Sequence, residues 1–327
     1  IEQLVFAITP DPAMRFATFS AGACAIMRHP LPGHLKLAQQ NADIKTQQIS
    51  GLNVAYWAFN TEKEPFNKAE VRKALSLAIN RKAIINSVYD KQASIATGPI
   101  PNSSWAYHAP EQPLNYNPSR ARQLLKEAGY ENNLVIDIWA MPVQRAYNPN
   151  ARKMAEMIQH DLQEIGVKSE IISYQWGTFL RRVREGKHQT VLLGWNADNG
   201  DPDNFFTPLL SCLASQGRGN FARWCDSSFD RKILAAGKES TPEKRKGHYN
   251  LAQEIFHKAS PWLPIAHAKN SILMQNSVGG LKLSPVGAMN FEGVYFKNHT
   301  NEGNDIEAPK KLLTPESVTV NSSKAQQ

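Results

Sequence analysis

The stretch "GWNADNGDPDNF", residues 194–205, follows an apolar run with three carboxylates, Asp198, Asp201 and Asp203, and contains no Lys or Arg. Such a cluster can receive a cation. A calcium loop of the EF-hand type starting at Asp198 would need Gly at its sixth position and Glu at its twelfth, where this sequence has Asp203 and Leu209. Helix N-capping accounts for Asp201 or Asp203, since "DPDNFF" can open a short helix with its acids at the positive end. Capping explains Asp198 less well, because it stands right at the strand exit, three positions before Asp201, and it is left free to receive a positive group. The opposite charge comes from "MPVQRAYNPN", residues 141–150, which carries Arg145 and Tyr147. Trp176 and Trp195 supply aromatic surface.

These residues share a position because of the elements before them. Strand "LVIDIWA" leads to helix "ARKMAEMIQHDLQEIG", strand "KSEIISY", helix "WGTFLRRVREG" and strand "TVLLGW". This βαβαβ alternation predicts a parallel sheet with right-handed crossovers. Ligands of open α/β sheets bind beyond the carboxyl ends of the strands. There the three loops converge, bringing Arg145, Tyr147, Trp176, Trp195 and Asp198 to one rim. A cation, an anion and aromatic walls on one rim suit a zwitterion.

The rest of the chain supplies the frame. "LVFAI" and the region of "CAIM" read as strands, and helices are expected from Pro12 and near "LPGHLKLAQQ". "NVAYWAFNT" reads as a strand, followed by helices "KAEVRKALSLAIN" and "RKAIINSVY". A proline-rich connection precedes the helix "PSRARQLLKEAGY", which Gly129 should cap. "EKRKGHYNLAQEIFHKA" is a further amphipathic helix and "PWLPIAHA" a strand. Residues 298–327 hold few large apolar groups, and a flexible tail is expected there.

Composition excludes several classes. At 327 residues with 42% hydrophobic content the chain can bury a substantial core. The formal charge of +8 is spread along the sequence, with no recognised nucleic-acid-binding module. No run approaches the roughly 20 apolar residues that span a bilayer. The start, "IEQLVFAITP", carries no basic and apolar leader, so a signal peptide is expected to have been removed or to lie outside this piece. There is no nucleophile elbow, phosphate loop or H-E-x-x-H, and the scattered histidines suggest no metal site. Cys212 and Cys225 bracket a Gly-containing loop that could close as a disulfide or hold two separate thiols. Cys24 is left over.

The segments "GLNVAYWAFNTEKEPF", "VRKALSLAIN", "NPSRARQLLKEAGY", "MPVQRAYNPNARKMAEMI" and "GWNADNGDPDNFF", in this order, resemble the periplasmic dipeptide-binding proteins of ABC importers. These belong to a family that also includes oligopeptide, nickel, haem/glutathione and antimicrobial-peptide-resistance receptors. "LSPVGAMNFEGVYF" looks more like the last of these. The resemblance runs over about residues 1–297 and implies an α/β periplasmic-binding-protein fold whose lobes move about a hinge, with no catalysis and no cofactor. It implies that Asp198 binds the ligand ammonium and Arg145 its carboxylate, with Tyr147, Trp176 and Trp195 in the pocket. Haem or glutathione is the alternative ligand. The resemblance pairs Cys212 with Cys225, and it gives Cys24 a partner that lies outside this chain. Family members carry roughly two hundred residues before the point matching Ile1, so the opening of the first lobe and an additional domain are expected to be missing. What remains is expected to be part of a first lobe (1–50 and 269–297), a second lobe (51–268) and the tail, with the hinge around Gly51 and Ala268. A monomer working with membrane permease subunits in the periplasm completes the expectation.

Overall fold

The computed structural model describes residues 1–131 and 133–297. The expected flexible tail lies outside the described residues. In chain order the elements are α1 (Pro12–Ser20), β1 (Ile26–Arg28), α2 (Pro32–Gln39), β2 (Ile44–Ser50), β3 (Asn53–Phe59), α3 (Ala69–Leu77), α4 (Arg81–Val88), β4 (Ala93–Ile95) and α5 (Pro118–Glu127). Then follow β5 (Val135–Ala140), α6 (Ala151–Gln163), β6 (Lys168–Ile172), α7 (Trp176–Arg184), β7 (Thr190–Asn196), α8 (Asp203–Leu210), α9 (Cys212–Ser215), α10 (Ser227–Lys238), α11 (Pro242–Ala259) and β8 (Trp262–Gln275). Four two-residue strands, β9 to β12, pair in the segment 278–296.

The expected α/β class is observed. β5 pairs parallel with β6 on one side and β7 on the other, as a βαβαβ series requires. β3 then pairs antiparallel with β7, and β8 antiparallel with β3, so the sheet is mixed. β3 lies between two neighbours with both faces covered, which is why "NVAYWAF" is apolar without alternation and buried at every position.

β8 is longer than "PWLPIAHA" predicted. Its first half pairs with β3 and β4, and its second half, from Lys269, with β2 and β1. The apolar residues change arrangement along the strand. Trp262, Leu263, Ile265, Ala266 and Ala268 join the large central core. Leu273 points to a small cluster with Phe19, Met27, Leu35 and Ala38. Its neighbours Ile272 and Met274, on the opposite face as strand alternation demands, pack with Val278, Leu281 and Val294. At the changeover, Gly51 donates its N–H to Ala268 O at 3.2 Å. An added Cβ at Gly51 would clash with Asn53 and with Ala268 O. The Asn53 amide bridges the same point, donating to Ala268 O at 2.9 Å and accepting from Ala268 N at 2.8 Å.

One predicted strand is absent. Leu4–Ile8 has no strand assignment and stands largely in solvent, Val5 at 74% and Ile8 at 92% exposure. Apolar content alone does not make a strand; a ladder partner does, and among the described residues none pairs with this segment. Conversely, the polar "IKTQQIS" forms β2 because β8 offers it a partner at all seven positions. Cys212 and Cys225 form a disulfide with Cα atoms 4.4 Å apart, and Cys24 is free. Among the described residues no helix is long and apolar enough to cross a membrane.

Candidate functional site: the rim beyond β5, β6 and β7

Parallel pairing puts the carboxyl ends of β5, β6 and β7 on one edge, so residues 141–150, 173–175 and 197–202 leave the sheet on the same side. The first of these loops is tightened by reciprocal backbone bonds, Arg145 N to Asn148 O at 3.0 Å and Asn148 N to Arg145 O at 3.1 Å. This turn leaves the Arg145 side chain half-buried. Its guanidinium carbon lies 4.8 Å from the centre of the ring of Trp176, the first residue of α7, which stacks on Phe179. A planar cation on an indole face keeps its edge free for bidentate contact with a carboxylate.

Tyr147 does not line open space. It is 6% exposed, its hydroxyl meets Met141 Sδ at 3.8 Å, and its backbone carbonyl accepts from the Tyr89 hydroxyl at 2.8 Å. Its ring lies so close over Gly194 that an added Cβ there would run into it. The contact sets the height of the Arg145 loop against β7, two residues from Arg145 and four from Asp198. In this arrangement Tyr147 supports the rim from below.

Asp198 is exposed at the end of β7. Its backbone N–H donates to Asn204 Oδ1 at 3.0 Å, and the Trp195 indole donates to the same oxygen at 2.9 Å. Asn204 Nδ2 reaches Asp198 Oδ2 at 3.4 Å. The structure thus brings Arg145 to Trp176, and Asp198 to Trp195 through Asn204. Among the described residues neither Arg145 nor Asp198 has an ion-pair partner.

The acidic cluster is less lonely than its sequence suggested. Arg245, from α11, forks onto Asp201 with both bonds at 2.8 Å and donates to the Tyr249 hydroxyl at 2.9 Å. Burial pushes the Asp201 carboxyl up, but this pair and the Asp203 N–H more than offset it and leave it below the ordinary range. Asp203 opens α8 and accepts from the Thr207 hydroxyl at 2.7 Å. Asp201 accepts from Asp203 N at 2.9 Å, and Asp203 is the first residue of α8, whose N-cap is Pro202 with no side-chain cap bond, so the two acids serve the turn and the helix start without acting as the cap. Asn204, inside the quoted motif, carried no signal of its own. Arg245 is 44 positions from Asp201, a pairing that only the fold makes.

Across from Arg145, Arg15 of α1 donates to His29 O at 3.2 Å and to Gln144 Oε1 at 3.1 Å, and Gln144 Nε2 donates to His29 O at 3.1 Å. Between this knot and β8 lies a cleft lined by His29, Tyr89, Gln92, Arg145 and Asn270. The Arg145 side of the rim thus holds two guanidiniums and the Asp198 side a free carboxylate. Among the described residues no cluster of three or more His, Cys, Asp or Glu could hold a metal.

Residues 1–217 match the family model of bacterial extracellular solute-binding proteins, family 5 middle. The chain belongs to this family. Among family 5 relatives, the dipeptide-binding protein of Escherichia coli (strain K12) is 43% identical over 294 residues, covering 90% of this chain and 55% of the relative. Heme-binding protein A of Haemophilus influenzae is 40% identical over 294 residues, with 90% and 54% covered. The crystal structure of a dipeptide binding protein from Pseudoalteromonas sp. SM9913 in complex with Met-Leu superposes with a TM-score of 0.83 at 41% identity, covering 89% of this chain and 57% of that one. The chain spans about half the length of the curated relatives it matches.

Proposed function

We propose that this chain is the ligand-holding part of an extracytoplasmic solute-binding protein that captures dipeptides or short peptides for an ABC importer and carries out no catalysis. The observation that carries this reading is the pair of opposite charges, Arg145 and Asp198, without ion-pair partners among the described residues, on loops leaving adjacent parallel strands, with Tyr147 packed against Gly194. Asp198 takes the α-ammonium and Arg145 the α-carboxylate in a bidentate contact. An extended dipeptide separates those charges by roughly 7 Å. Anchoring both termini measures length and leaves side chains free to vary. Trp176 and Trp195 flank the anchors, and Tyr147 supports them.

In this reading residues 51–268 form one lobe, and 1–50 with 269–297 belong to the other. β8 passes between them at Ala268, where Gly51 gives the hinge close backbone approach. The knot of Arg15, Gln144 and His29 joins the two lobes beside Arg145. Periplasmic location, a monomeric state and permease partners belong to the same proposal.

Isothermal titration with Ala-Ala and Gly-Leu tests it on the wild-type chain, Asp198→Asn and Arg145→Ala. Wild type should bind and both variants should lose binding. Equal affinity in all three would overturn the assigned roles. The likeness to heme-binding protein A favours a second reading, haem or glutathione as ligand, and titrating both in parallel separates the two.

A further inference from the structure

The amide of Asn204 makes three contacts in the acidic loop. Its oxygen accepts from Trp195 Nε1 at 2.9 Å and from Asp198 N at 3.0 Å, and its nitrogen faces Asp198 Oδ2 at 3.4 Å. An amide oxygen has two lone pairs. Both are occupied here by fixed donors, so the amide cannot flip, and its N–H₂ is committed to the Asp198 side. Asn204 itself is anchored as the second residue of α8, behind Asp203. The exposed carboxylate of Asp198 is thereby held by a neutral donor at one oxygen, while Oδ1 takes no hydrogen bond among the described residues. A neutral donor orients the acid without cancelling its charge, whereas a Lys or Arg in the same place would compete with a cationic guest.

We infer that Asn204 is a positioning residue that presents one oxygen of Asp198 to the ligand's ammonium and locks the Trp195 indole beside it. This rests on the proposed peptide-binding role of Asp198. Asn204 touches no ligand in this assignment; it acts through Asp198. An unheld Asp198 on an exposed loop must be ordered by the ligand itself, which weakens binding of the ammonium end alone.

The test compares Ala-Ala, N-acetyl-Ala-Ala and Ala-Ala amide on wild type, Asn204→Ala and Asn204→Ser, with thermal melts of each. Wild type should prefer the free amine over the acetylated ligand and the free acid over the amide. In both variants the preference for the free amine should fall about tenfold while the preference for the free acid stays as in wild type. That split marks an effect confined to the ammonium end. A variant that keeps the wild-type amine preference, or that weakens all three ligands by one factor, overturns the inference. Should Asn204→Ala not fold, Asn204→Ser keeps a hydroxyl acceptor for the loop and gives the same readout. A wild-type chain that binds none of the ligands refutes the peptide-binding reading and this inference with it, whereas normal wild-type binding with unchanged variants refutes this inference alone.

Discussion

A guanidinium and a carboxylate on one rim discriminate only if neither is neutralised by an opposite charge of the protein and each is fixed in direction. Among the described residues Arg145 has no carboxylate partner; it is held by one bond from Nη1 to Gln144 O at 3.1 Å and by the Trp176 ring 4.8 Å from its guanidinium carbon. A lysine would keep the charge and lose both the planar stacking and the forked donor. Arg145→Lys should therefore weaken dipeptide affinity about tenfold while leaving some binding, and Trp176→Ala should weaken it less, since a partly exposed cation–π contact contributes about 0.5–1 kcal/mol. Titration of both variants against wild type checks the order, and a lysine variant with full affinity would show that charge alone suffices. The place of Arg145 and Asp198 on loops beyond β5 and β7 was legible in the sequence because each follows a strand in the βαβ series. The partners were not. Arg245 comes from a helix far along the chain to meet Asp201, and Tyr147, expected as a pocket wall, is turned inward onto Gly194. Side-chain direction in a loop is set by packing, which spacing does not encode.

Among elements, those legible from sequence were the ones whose period matched their burial: β5, α6, β6, α7 and β7 all lie where the alternation of patterns put them. The failures are at strands whose existence depends on a partner. Leu4–Ile8 is apolar and has no ladder among the described residues, while β2 is polar and has one along its full length. The same dependence on neighbours gives Gly194 its importance, since β7 can approach the Tyr147 ring and the β3 backbone at Val54 only without a side chain there. Gly194→Ala forces either the ring or the strand to move, and overpacking of this kind costs about 1–3 kcal/mol. Denaturant melts should show that loss together with weaker dipeptide binding, because the displaced ring carries the Arg145 loop. Gly237→Ala, in α10 with open space around its Cα, is the control and should be neutral or slightly stabilising. Equal stability of the two variants would mean that the rim does not depend on this contact.

At the scale of the whole molecule, the sequence disclosed the class of the fold and the family, while the way β8 serves two groups of strands became visible only in its pairings. "KNSILMQ" follows "PWLPIAHA" without a break in strand character, and nothing in its pattern marks where one set of partners ends. His267 sits at that point, buried, with Nδ1 2.7 Å from Asn53 O. Burial pushes it down to about 4. His188, just before β7, is likewise pushed down to about 4 by burial, with its Nε2 2.8 Å from Phe221 O. Each is neutral in the folded chain where an unfolded histidine, titrating near 6.5, already binds a proton. Between about 6.5 and 4 the unfolded state thus holds more protons, and stability falls as pH falls, by up to roughly 3 kcal/mol per histidine at the acid end. Asp137 and Asp161, raised by burial, act in the opposite sense in the carboxylate range, so the clearest slope lies between pH 6.5 and 5. His29 and His257 are pushed down to about 4 by burial as well, so calorimetric melts over that window should show Tm dropping steadily as pH falls, with a shallower drop in His188→Gln, which removes one of the four groups. A Tm that stays level from pH 7 to 5 would mean that these imidazoles are hydrated or already protonated in the folded chain, and the tight packing assigned to the β3–β8 crossing would have to be abandoned.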